Sequence, residues 1–396
     1  MRMKNNLKAL LTICLSSCTL ICPLGNLMSA SFSTSTYNER HIAQQWSSTT
    51  TGSADEALVI NNLSNLSSKE QREALNDLSG EQYANLMQPN QTASQTFIRR
   101  MYQPIINDSL GLQCGENCDE YRLWGAVGGG QSRLRNSHGA KGYRMDDFNI
   151  TFGAQKPLNF NFLNSWLTVG IAGSYEKDHI HFKQNGHGKG NNWQGAIYYM
   201  WNNPHFYSFS GTILGADCVR VKRSIDVGNL TRKARGKARV SEWTSFTELG
   251  LNLGYENFYV QPFARLEHAS YRRHALSEHG AQSLNLHVRG KNISASVGYL
   301  GTHLSTNLPW WELHLNADAA WKYRFNLLQE RFQAHFKNLG SQFRIKGVHQ
   351  KTSGFEGSVN IAKTFYNCWQ GYVEFSGEVW DRFSAWNLAG GVTVTW

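Results

Sequence analysis

The sequence predicts an all-β chain: a membrane-spanning antiparallel β-barrel of about twelve strands, with an N-terminal α-helical segment in or below the lumen. Three observations carry that expectation. The chain opens on a basic and then apolar leader, alternates with a two-residue period from about residue 120 onward, and ends on an aromatic residue that closes an alternating segment.

The leader comes first. Arg2, Lys4 and Lys8 form a basic start, an apolar run follows, and small residues appear at Ser29 and Ala30. This is the form of a secretory signal peptide cut near Ala30, assigning 1–30 to export. The run is too short and too broken by Ser, Thr and Cys for a good spanning helix. Leu15-Ser16-Ser17-Cys18 also has the form of a lipoprotein cleavage box, so acylation at Cys18 stays open. Either route exports the chain.

Mean hydropathy over the whole chain is −0.46, and beyond the leader no stretch approaches the length of a spanning helix. Strands with one lipid face and one wet face escape a hydropathy window, because apolar and polar residues cancel. Alternation is therefore the test. Leu167, Val169, Ile171 and Tyr175 share one face, opposed by Thr168, Gly170, Ala172 and Ser174. Leu313, Leu315, Ala317, Ala319, Trp321 and Tyr323 share another, opposed by His314, Asn316, Asp318, Lys322 and Arg324. Trp369, Val373, Phe375 and Val379 oppose Gln370, Tyr372, Glu374 and Glu378. A soluble sandwich also alternates, but its core is dry, and it would not place Lys322 and Arg324 on an inner face.

Twelve centres emerge, near 126, 151, 171, 196, 211, 249, 264, 295, 316, 358, 374 and 391. Connections expected to be short lie at 157–164, 202–204, 256–257, 306–309 and 364–367; long polar ones lie at 134–142, 178–190, 221–240, 272–282 and 325–350. Short periplasmic turns against long outer loops orient the barrel and put Trp396 on the periplasmic side. There Val392, Val394 and Trp396 share a face. This ending resembles the assembly signal that outer-membrane barrels present to their insertion machinery.

Residues 55–107 have helical periodicity instead. Ser67 to Glu70 has the form of a capping box, with Ala74, Leu75 and Leu78 following on one face. A second box is expected at Ser79 to Gln82. A third, Thr92 to Gln95, starts a helix that presents Phe97, Met101 and Ile105 as one stripe, with Arg99 and Arg100 beside it. Leu78-Ser79-Gly80-Glu81-Gln82-Tyr83-Ala84, then Phe97-Ile98-Arg99-Arg100-Met101, then Trp124-Gly125 with the cluster Gly128-Gly129-Gly130, together resemble the autotransporter translocator domain over roughly residues 55–396. That resemblance implies a twelve-stranded barrel, a helix in its lumen, and an upstream passenger brought to the cell surface. Only a Ser/Thr-rich stretch separates Ala30 from the helical region. The expected division is a signal peptide at 1–30, a short linker at 31–54, a helical linker and lumen helix at 55–118, and the barrel at 119–396.

The function expected is that of an autotransporter-type translocator without a recognisable passenger, in the outer membrane of a Gram-negative bacterium. The alternative is a structural or adhesin-like surface barrel using basic outer loops. No enzymatic activity is expected: G-x-S-x-G is missing, the loop His179, His181 and His187 lack a ligand framework, and the glycines of Gly186–Gly190 precede no helix. Neither metal nor cofactor is expected. Cys114 and Cys118 flank a Gly and are candidates for a small disulfide loop or, less simply, half a Zn site. Cys218 and Cys368 fall too far apart to bridge. The formal charge of +10 concentrates in one predicted outer loop carrying Lys222, Arg223, Arg232, Lys233, Arg235, Lys237 and Arg239. Such a loop attracts lipopolysaccharide phosphates or host polyanions, or is merely solvated. Outer-membrane lipid and the barrel-insertion machinery are the expected partners, nucleic acid is not, and the chain is expected to be a monomer.

Overall fold

The computed structural model describes residues 31–48, 53–109, 121–137, 139–160, 165–255, 258–308, 313–326, 331–365 and 368–396. The leader, Cys18, Cys114 and Cys118 lie outside them.

Twelve antiparallel strands close on themselves: β1 (Arg122–Leu134), β2 (Tyr143–Phe160), β3 (Ser165–Phe182), β4 (Gly186–Asn202), β5 (Phe206–Val227), β6 (Leu230–Leu251), β7 (Phe258–Arg273), β8 (Lys291–Leu308), β9 (Leu313–Arg324), β10 (Ser353–Phe365), β11 (Trp369–Trp380) and β12 (Phe383–Thr395). Each pairs with its chain neighbours, and β12 returns to β1 in register from Arg122↔Thr395 to Leu134↔Phe383. Closure leaves no open edge, the condition for backbone to sit in lipid. All twelve sequence centres fall inside these strands.

The outward faces are apolar through the middle of the wall. Ile171, Ile197, Leu214 and Phe355 are each more than 60% exposed, which only a lipid solvent makes favourable. Val169 and Val373 share that outward face, as do the half-buried Leu167 and Leu313. Aromatic residues border the band at both ends, with Tyr175, Trp193, Trp243, Trp321 and Trp386 towards the long connections and Phe206, Phe258 and Trp369 towards the short ones.

Several connections differ from expectation. Residues 178–190 and 221–240 are not loops. β3 and β4 run to Phe182 and Gly186, while β5 and β6, 22 residues each, meet at a tight turn through Gly228 at φ 61°. The predicted turn at 157–164 also begins too early, since Pro157 pairs with Thr168 within β2 and β3. The outer segments 276–288 and 331–346 build a separate four-stranded sheet from Leu276–Ser277, Leu286–Val288, Arg331–Phe336 and Phe343–Lys346.

Among the described residues, four α-helices precede the barrel: α1 (Tyr37–Ser47), α2 (Ala54–Ser64), α3 (Ser68–Ser79) and α4 (Met87–Ser109). The stretch expected as a linker thus contains α1. Its start is a capping box in which Thr36 accepts from Glu39 N and Glu39 accepts from Thr36 N. The box at Ser67 and Glu70 opens α3 as read from sequence. The one at Ser79 does not form. Gly80, at φ 68°, ends α3, and a 3₁₀ turn (Glu81–Asn85) leads directly into α4. The lumen helix therefore starts five residues before Thr92.

Candidate functional site

The site is built from α4 and the barrel wall around it. Phe97, Met101 and Ile105 are buried, each at most 4% exposed. Tyr102, beside this stripe, packs on Phe209 and His303 with ring centroids 5.2 and 4.8 Å away. The polar side of the helix meets charges from the inward faces of the strands. Arg100 donates to Glu374 at 2.8 Å and to Asn387, with both partners of the ion pair fully buried. Arg99 reaches Glu356 at 3.5 Å. Lys322 bridges Glu378 (2.6 Å), Glu356 (3.0 Å) and Gln95 of the helix (3.0 Å). Arg324 donates to Gln91 at 2.9 Å. Towards the outer end, Asn90 donates to Asp217 at 3.1 Å and Ser94 to Glu242. Buried charge is costly unless paired, so this network fixes one rotation and depth for the helix. A cleft between the helix and the strands, lined by Thr92, Arg99, Asp147, Glu176 and Asn387, has room for one or two water molecules.

Above α4, the helices α1 to α3 rest on the barrel's outer mouth. Their apolar sides join the inner faces of the strand extensions and the small sheet in one core. Trp46 stacks edge-on to Phe336 at 5.1 Å, and Leu75 and Leu78 share the cluster with Val221, Ile225, Ala234, Ala238 and Leu286. The element read from sequence as Leu78 to Ala84 is the junction. Gly80 is needed because a Cβ there would sit 2.4 Å from Leu286 Cδ1 at a positive φ. Glu81 accepts from Lys141 N (2.8 Å) and Asn38 Nδ2 (3.1 Å), and burial pushes its carboxyl up to about 7 despite these bonds. Gln82 donates to Gln184 O, and Tyr83 donates to Glu278 at 2.8 Å.

The basic cluster divides. Arg223 points inward and forks onto both oxygens of Glu278 at 2.7 Å, fully buried. Arg232 is held by Asp55 of α2, whose carboxyl is drawn down to about 2 chiefly by the Arg232 hydrogen bonds. Lys222, Lys233, Arg235, Lys237 and Arg239 face outward from β5 and β6 and are exposed. At the other end, Val392 and Trp396 are exposed on the outer face beside β1, and Val394, half-buried, shares that face. The Trp396 ring stacks on Tyr121 at 6.4 Å. Cys218 and Cys368 are both free. His179, His181 and His187 stand exposed on strands, and the described residues contain no group able to hold a metal.

A family model described as the autotransporter β-domain matches residues 123–376. The chain belongs to the autotransporter β-domain family. Among solved structures, this translocator resembles the translocator domain of the autotransporter NalP from Neisseria meningitidis (15% identity, 77% of this chain and 97% of that one, TM-score 0.60). It also resembles the transport unit of the autotransporter AIDA-I from Escherichia coli (14%, 74% and 97%, 0.53) and the β-domain of the Bordetella autotransporter BrkA (14%, 70% and 100%, 0.50). No curated protein matches. The translocator barrel lies in the outer membrane. Its lumen contacts were partly visible in the sequence, since Lys322, Arg324, Glu374 and Glu378 read as inward-facing. Glu356 and Gln91 were not singled out, although Gly354, Glu356 and Ser358 alternate with Phe355 and Gly357 in plain view.

Proposed function

We propose that this translocator carries its own N-terminal helical unit, residues 31–86, through the barrel and keeps it at the cell surface as a fixed cap. The observation that supports this is the run of the chain: α1 to α3 dock on the mouth formed by the long connections, and α4 descends from there through the lumen towards β1. Short turns face the periplasm and long connections face outward, so the cap lies outside. The helices that looked like a linker are the delivered segment. The reading involves no catalysed reaction; the work is positional. Recognition of β12 by the barrel-insertion machinery is part of it, supported by the outward edge of Val392, Val394 and Trp396.

An epitope inserted after the exposed Asn65, in the turn between α2 and α3, tests the cap. Antibody should bind intact cells as strongly as permeabilised ones. Binding only after permeabilisation would leave the helices in the periplasm and remove the proposal.

A further inference from the structure

Just beyond the outer aromatic girdle, basic side chains stand directly opposite one another across β4, β5 and β6. Lys189 pairs in register with Arg220, and Arg220 with Lys237. One step higher, His187 pairs with Lys222, and Lys222 with Arg235. All six side chains point outward and are exposed, and none takes part in a salt bridge among the described residues. The lysines and arginines directly opposite one another in these rows repel. The inward arginines of the same strands are, by contrast, neutralised by Glu278 and Asp55. The outward rows are thus left for a counter-anion from outside the chain.

Their height says where that anion is. Lys189 is four residues beyond Trp193 along β4, about 13 Å along the strand and about 10 Å above the girdle once tilt is allowed for. That is headgroup level, and the second row stands about 5 Å higher. Among the described residues, the opposite wall of β9 to β11 shows no such row. Beyond Trp321 and Tyr323 comes Phe325, and at the top Lys351 is already matched by Asp381 at 3.5 Å.

We infer that the rows Lys189–Arg220–Lys237 and His187–Lys222–Arg235 dock a phosphate-bearing glycolipid of the outer leaflet, whose anionic groups lie both at and above the headgroup plane. The inference rests on the orientation used for the surface cap. The assay does not, because it reads lipid binding to purified protein, whichever side of a cell the cap faces.

The full folded chain in detergent is titrated with bisphosphorylated lipid A glycolipid, and bound lipid per barrel is counted by native mass spectrometry. The triple variant Lys189→Gln, Arg220→Gln, Lys237→Gln should bind about tenfold more weakly. A charge-matched control on other outer segments, Lys337→Gln, Arg344→Gln, Lys351→Gln, should stay within about twofold of the unmodified protein. The unmodified protein should also lose about tenfold when the same lipid is dephosphorylated, an arm that stands even if the row variant fails to fold. Equal loss in both triple variants, or undiminished binding of the dephosphorylated lipid, overturns the inference. So does heparin binding that the row variant abolishes while glycolipid affinity is unchanged, since the rows would then serve a soluble polyanion.

Discussion

Along β3 and β6 one two-residue alternation changes sign at a single height. In the lower part of β3, Val169 and Ile171 face lipid while Thr168, Ser174 and Glu176 face the lumen; in the upper part Lys177, His179 and His181 face out while Ile180 and Phe182 face in. β6 does the same, with Leu249 and Trp243 outside Glu248, Thr244 and Glu242 below, and Arg239, Lys237 and Arg235 outside Ala238 and Ala234 above. The pleat does not change. What changes is the solvent on each side: hydrocarbon outside and a polar helix inside, then polar headgroups and water outside and an apolar helical cap inside. The lower region is organised as a membrane protein and the upper one as a soluble domain wrapped by the same strands.

The comparison breaks most heavily at the lumen helix. Glu374→Leu strands a fully buried Arg100 and is expected to cost about 3–5 kcal/mol, while Glu374→Leu with Arg100→Met restores most of it. Spin labels at Thr92 and Ser376, which line one cleft, should give a short, narrow distance in the unmodified protein and a broad one in the single mutant. Next in size is the paired test of solvent. Ile171→Lys should cost about 2–4 kcal/mol in folding into bilayers, and His181→Lys, on the same face of the same strand above the girdle, should be nearly neutral. Equal costs would deny the change of solvent between them.

In the upper region the cap should respond to pH through Glu81. Its folded pKa of about 7 lies above the ordinary carboxyl value of 4.5, so the folded cap holds its proton more tightly. Stability of the cap, read by hydrogen exchange of α1 and α3, should therefore be greatest below about 4.5 for this group and decline as pH rises to about 7. Glu81→Gln should flatten that slope. Asp55, held at about 2 by Arg232, works in the opposite sense and weakens the cap only as pH falls from 3.8 towards 2. The smallest expected effect is Thr36→Ala, which removes one capping bond and should cost about 1 kcal/mol, seen as faster exchange confined to α1.

These two regions were not equally legible. In the membrane zone the sequence pairs a lipid face with a wet face, so Leu167, Leu313 and Val373 announce their sides and all twelve strands could be counted. Above the girdle, alternation continues through Val221, Arg223, Ile225 and Val227, but the outward residues are Lys and Asp. Read with membrane polarity in mind, such a stretch resembles a charged loop, which is why 221–240 was expected to be one. Arg223 and Arg232 were grouped with their neighbours because sequence shows charge without direction; their acids, Glu278 and Asp55, lie 55 and 177 residues away. The Leu78–Ala84 element was visible as a motif, yet its work depends on Leu286, Lys141 and Gln184, which only the fold brings near. α1 was missed because Ser and Thr around it suggested a linker, although Thr36 and Glu39 already spelled its start.

The arrangement of α4 has a mechanical consequence. A single helix runs through the ring, a folded body of three helices packed into the strand extensions sits at one end, and the other end continues covalently into the ring's own wall. Such an object is interlocked in the manner of a bead on an axle with a stopper. Withdrawal inward requires the stopper to melt and the buried pairs along the axle to part together. A force on the outer body loads covalent backbone and a closed wall instead of a peelable interface.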